Sequence, residues 1–294
     1  MGLFNDLGPT GAGISKNERK KTGFFYFFEI LFAKFFKLIK ANILYFLVSI
    51  PYLYIALFFI AHMLSQATGL DELMMNIEET EMAKSIIYTI MACAIFNFFG
   101  SGPASAGYAF VTRCFTRREY TWIASDGWDK FKENFKNSML LFIVDMLVIY
   151  IILNSVIFYN FMIENGGENQ QIFLLFIKYF LIVVLYVYMI SHIFAYQIMV
   201  TYECKFKEIL KTSVIMAMAN LPMCTLLTII TGAIYMLLSS LGFLSVLIHA
   251  IIGITFTRFP LEFFATRVID KNIKMVKQQS AIRESESESD MGSN

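Results

Sequence analysis

Apolar residues in this chain gather into six long runs separated by polar or charged stretches. The runs cover roughly Ile43–Leu64, Ser85–Phe99, Met139–Met162, Ile172–Val200, Leu221–Leu238 and Leu241–Pro260. About 20 apolar residues in a helix match the hydrocarbon thickness of a bilayer. The pattern therefore predicts an all-α integral membrane protein with six transmembrane helices. The second run is short and continues, on one reading, beyond Pro103; the fourth is long enough to tilt or to project from the bilayer.

Charge adds orientation. Lys and Arg number 24, and 22 of them fall before the first run, between the second and third, after the fourth, and at the end of the sixth or beyond it. The intervening loops are acidic (Asp71, Glu72, Glu78, Glu79, Glu81, then Glu164 and Glu168) or nearly absent, as at Ser239 and Ser240. Cytoplasmic loops carry the Lys/Arg excess, so both termini are expected in the cytoplasm. Lys84 and Lys178 are the exceptions, placed where a long side chain reaches the interface. The polar stretch before the first run argues against a cleavable signal, and Asp6 spoils a myristoylation motif.

Composition supports this class: 57% of residues are hydrophobic, 16% are charged, and Phe alone contributes 31. The four cysteines show no paired spacing. The expected organisation is a cytoplasmic segment over 1–23, a membrane domain over 24–277 and a disordered, Ser-rich acidic tail over 278–294.

A repeated pattern subdivides the membrane domain. Lys34–Lys40, Lys130–Lys136 and Lys205–Lys211 each open with Lys-Phe and close with Lys, and each is followed two residues later by a small polar residue: Asn42, Ser138 and Ser213. This predicts three parallel units, about 24–118, 119–203 and 204–277, each an amphipathic interfacial helix followed by two spans. In the first, Phe24–Lys40 reads as one such helix. Lys34, Lys37, Lys40, Lys130, Lys136, Lys205 and Lys211, with Trp122 and Trp128, become interface anchors, and anionic lipid headgroups their expected partner. Nucleic acid is not expected, because these lysines are tied to helix starts at the membrane.

The stretches GPTGAGISKNERKK near the N-terminus, GPASAG at Gly102–Gly107, SDGWDKFKENFKNS at Ser125–Ser138 and ANLP at Ala219–Pro222 resemble the YesL family of bacterial membrane proteins. The likeness covers nearly the whole chain. It implies location in the bacterial cytoplasmic membrane and a setting in carbohydrate uptake beside ABC transporter subunits. It supplies no biochemical activity and no catalytic residues.

Candidate sites follow from what a bilayer penalises. Ionisable side chains inside it are functional suspects. Asp145 lies about 9 Å into the third run at 1.5 Å per residue, and His192 and Asn97 fall at comparable depth. The three form a polar site if they share an azimuth; otherwise each is hydrogen-bonded to a neighbouring helix or reaches the headgroups. His249 is read the same way. Gly102, Pro103 and Gly107 mark either a functional helix break or a close-packing surface, with Pro260 as a counterpart. His62, His192 and His249 lie in three different runs without metal-ligand spacing, and no P-loop, H-E-x-x-H or G-x-S-x-G motif occurs. The segment from Lys205 to Pro222 lacks the glycine of an ABC permease coupling loop. No enzyme, metal or cofactor is expected. The leading expectation is a non-catalytic accessory of oligosaccharide uptake, the alternative a stand-alone transporter or channel.

Overall fold

A computed structural model describes residues 23–65, 98–165, 168–241 and 244–273. Secondary structure among them is entirely helical. The elements are α1 (Gly23–Ala33), α2 (Phe35–Ser65), α3 (Pro103–Arg117), α4 (Ile123–Glu133), α5 (Phe135–Asn165), α6 (Glu168–Thr201), α7 (Phe206–Ala219), α8 (Leu221–Ser239) and α9 (Leu244–Ile273). Five of these, α2, α5, α6, α8 and α9, contain stretches long and apolar enough to cross a bilayer. The protein is thus an all-α membrane protein. The expected second span lies outside the described residues except for Phe98 and Phe99, as do the N-terminal segment except for Gly23, the acidic tail, and the last four residues of the expected membrane domain.

Apolar residues cover these helices on most sides because the surrounding solvent is lipid. Side chains such as Leu47, Phe58, Ile151, Ile229 and Leu247 are exposed at the surface, as expected where hydrocarbon replaces water. The interior contains more small and polar residues. α3 is the clearest case: twelve of its fifteen residues are buried, and it touches α2, α4, α5 and α6. It is a central packing element and not an interfacial one.

A short helix, a one-residue break and a longer helix occur three times, with the breaks at Lys34, Asn134 and Asn220. The hydrogen-bond ladder continues through each one. The break residue donates to the carbonyl four residues back at 2.9, 3.1 and 3.2 Å, and its own carbonyl accepts from four residues ahead at 2.8, 3.0 and 3.0 Å. These are bends of a continuous chain. Phe24–Lys40 accordingly divides at Lys34, and the spanning helix begins at Phe35, eight residues before the expected Ile43. The Lys-Phe segments contain the break in the first two cases but open α7 in the third, well before Asn220. Asn42, Ser138 and Ser213 are all fully buried.

α4 is amphipathic. Ile123 and Gly127 are buried along one edge, while Lys132, Glu133 and Asp129 face out. Asp126 secures its start by accepting from the Trp122 backbone N–H at 2.8 Å and the Thr121 hydroxyl at 3.0 Å, in the manner of a capping carboxylate. α9 departs from expectation. It runs to Ile273 instead of ending at Pro260, because Pro260 sits in the first turn of a new helical segment after an irregular residue, Arg258. In a first turn the missing N–H costs nothing. A π-helical turn, His249–Gly253, lies earlier in the same helix.

Candidate functional site

Two hydrogen-bonded polar groupings occupy the interior. The first joins α5 to α6. Tyr188 and His192 stand one turn apart on α6 and present their side chains to Asp145 of α5. The Tyr188 hydroxyl donates to Asp145 Oδ1 at 2.6 Å, and His192 Nε2 lies 2.8 Å from the same oxygen. His192 Nδ1 lies 3.0 Å from the Tyr188 carbonyl. Both ring nitrogens therefore face oxygens. The carbonyl can only accept, so Nδ1 carries the N–H of that contact, and a single proton shared between Nε2 and Oδ1 joins His192 to Asp145. The ring edges of Phe99 and Tyr188 pack on His192 at 5.2 and 4.8 Å between centroids. Asp145 is wholly buried, and its Oδ2 has no hydrogen-bond partner among the described residues.

The second grouping is centred on α9. Arg258 and Glu262, i and i+4 on one helix face, pair at 3.2 Å with their side chains 6% exposed. Gln197 of α6 donates to Glu262 at 2.6 Å and to the Ala109 carbonyl of α3 at 2.9 Å. Arg258 donates to the Tyr45 hydroxyl at 2.7 Å, and its guanidinium faces the rings of Tyr45, Tyr196 and Tyr108 at 5.2, 5.5 and 5.8 Å. Three aromatic faces and a carboxylate replace the hydration of the cation. Hydroxyls extend the network: Ser101 donates to Tyr45 at 3.0 Å and meets Ser49 at 2.7 Å, while Asn42 joins Tyr108 to Thr255. Tyr188, His192, Tyr196 and Gln197 follow one another along α6, so the two groupings share a polar layer of that helix.

The backbone opens beside this layer. Gly100 and Gly102 adopt φ of +95° and +58°, and α3 starts at Pro103. A Cβ on Gly100 would meet the Ser105 hydroxyl oxygen and the Tyr196 ring at 2.7 Å. The unwound turn lets the Ser101 N–H donate to Ser105 Oγ at 2.7 Å. Gly107 is different: it is buried within α3, where a Cβ would stand 2.6 Å from the Gly127 carbonyl of α4. Gly102 and Pro103 thus belong to a break, and Gly107 to a close helix crossing.

Of the other sequence-derived candidates, Asn97 lies outside the described residues. Lys37, Lys40, Lys136, Lys205 and Lys211 are exposed, Lys34 and Lys130 half-buried, and Trp122 and Trp128 exposed. Lys130 pairs with Glu133 at 2.6 Å. His249 lies in the π turn, where Nδ1 meets the Ser245 carbonyl at 2.7 Å and the ring packs on Tyr235. Arg258 corrects the sequence reading: it is grouped there with the basic residues at the end of the sixth run that mark the cytoplasmic side, yet it is 5% exposed and internal. Sequence reasoning passed over Glu262, Gln197 and Tyr45 as well. The available signal was Arg258 and Glu262 at helical spacing across Pro260.

No group of three or more His, Cys, Asp or Glu side chains suited to a metal occurs among the described residues. Comparison with family models, curated proteins and solved structures finds no match for this chain.

Proposed function

We propose that this protein is a non-catalytic six-span protein of the bacterial cytoplasmic membrane, both termini inside, that assists carbohydrate uptake by seating transporter subunits against its membrane surface. Three parallel units, 24–118, 119–203 and 204–277, would build its body. The observation that carries the docking role is the first half of α6. From Gln171 to Met189 no side chain is buried, and Ile172, Phe173, Phe176, Phe180 and Val183 stand open. A stretch with no fully buried side chain and a row of exposed large apolar ones among the described residues offers a surface for helices of another protein.

The test is affinity purification in mild detergent with mass spectrometry of what accompanies the protein. Carbohydrate ABC permease subunits at stoichiometric levels, lost when Phe176 and Phe180 are both replaced by Ala, would support the reading. Recovery of the protein alone or only with itself would sink it.

A second reading, a stand-alone transporter, is favoured by the polar layer. A buried carboxylate with one oxygen unpartnered among the described residues, near a turn with positive φ, is the kind of arrangement found where discontinuous helices handle solutes or protons. This reading expects solute flux by the purified protein in liposomes, reduced by Asp145→Asn.

A further inference from the structure

A cleft of about 270 Å³ opens between α2, α3 and α4, at the end of α2 that bears Lys37 and Lys40. Its lining is almost wholly apolar. It exists because the side chains where the three helices meet are small: Ala41, Ala104, Gly107, Ala124 and Gly127 contribute to the wall where larger residues would close it. Trp128 borders it and stacks on Phe131 at 4.7 Å. Tyr45 and Tyr108 form another part of the wall, and the same two rings face the Arg258 guanidinium.

We infer that this cleft is a binding site for one acyl chain of an anionic membrane lipid. The apolar lining suits a hydrocarbon chain and offers nothing to a sugar or a nucleotide. Charge complementarity selects the lipid. Lys37 precedes Ala41 by one turn and Lys40 precedes Leu44 by one turn, so both stand on the α2 face that lines the cleft, about 6 Å along the helix from it. Both are exposed. A chain seated in the cleft places its phosphate headgroup among these ammonium groups. Each lysine near an anionic headgroup favours it by about fivefold over a zwitterionic one. The seated chain also braces Tyr45 and Tyr108 from the lipid side, which ties lipid occupancy to the packing around Arg258. The site stands independently of the uptake reading.

The two tryptophans make the experiment direct. Trp122→Phe leaves Trp128 as the sole indole, at the edge of the cleft. The full-length protein is reconstituted in phosphatidylcholine vesicles containing one tenth phosphatidylglycerol, with bromine on the acyl chains of one lipid or the other. The expected result is that brominated phosphatidylglycerol quenches Trp128 several-fold more than an equal fraction of brominated phosphatidylcholine. Ala124→Phe, which fills the cleft from an exposed position, abolishes the excess. Lys37→Glu with Lys40→Glu abolishes it without touching the cleft, and elution as one peak shows that each variant is folded. Quenching that follows mole fraction alone, whatever the headgroup, overturns the proposal. So does quenching by neither lipid, which would mean that a protein segment covers the cleft. An excess that survives the double lysine change overturns it too.

Discussion

Asp145 makes two hydrogen bonds through one oxygen, and the buried His192 beside it has oxygens at both nitrogens. Removing either partner leaves a buried polar group without its hydrogen bond, which typically costs about 1–3 kcal/mol. Asp145→Asn and His192→Gln should each lower the thermal midpoint of the detergent-solubilised protein clearly. The double variant should lose much less than the sum, because the second change removes a group that the first had already stranded. Additive losses would show that the two side chains do not act as a pair. Arg258 and Glu262 obey the same logic. Arg258→Met alone leaves Glu262 buried without its cation, whereas Arg258→Met with Glu262→Met replaces the pair by apolar volume. The double variant should therefore be the more stable of the two in the same melting assay, and the reverse order would contradict the pairing described.

At the scale of elements, the turn before α3 places Ser101 against Ser49, Tyr45 and Ser105. Gly100 and Gly102 have positive φ and close neighbours, so Gly100→Ala and Gly102→Ala combine backbone strain with overlap. A loss of about 1–3 kcal/mol each is expected, measured by thermal unfolding; no change would mean that the turn relaxes freely. Gly107→Leu should be worse than Gly107→Ala, since it drives a side chain into the α4 backbone. The helices themselves were legible in the sequence. Three of the five apolar helices, α2, α6 and α8, have at least one end within a residue or two of the expected boundary, because apolar runs of that length have one stable form in lipid. The breaks at Lys34 and Asn134 were not legible, because the hydrogen-bond ladder runs through them and leaves no Gly or Pro as a mark. The continuation of α9 past Pro260 was hidden for the opposite reason: a proline reads as a stop until the irregular residue before it is seen.

For the whole molecule, orientation is the property that the distribution of charge predicts. Cys204 lies between α6 and α7, half-buried and without a disulfide. Burial, and then the nearby Glu208, hold its thiol above the usual cysteine range. Thiolate is therefore scarcer than normal at neutral pH, and labelling should speed up at alkaline pH. With the lysine-bearing face inside, an impermeant maleimide added to intact cells should leave Cys204 unlabelled and should label it after permeabilisation. Labelling of intact cells would invert the topology. The arginines of this face also hold the molecule together. Arg117 pairs with Asp270 at 2.6 Å, Arg118 with Glu29, and Arg113 donates to the Val200 carbonyl and the Thr201 hydroxyl at the end of α6. Charges that looked like a topology signal in the chain are thus partly interhelical ties.

Hydrophobic length and charge distribution, both properties of local sequence, were sufficient to determine a helical membrane protein and to single out Asp145 and His192 as costly residues at matching depth. Depth follows from counting residues along one helix. What sequence could not supply is azimuth: which side chains on different helices face one another depends on how each helix is rotated and crossed, and that is settled by packing many side chains at once. The tertiary structure alone therefore brought His192 to Asp145, drew Arg258 from the apparent surface into a cage of three tyrosines, and separated the break at Gly102 from the crossing at Gly107. It also left a cleft where five small residues from three helices converge.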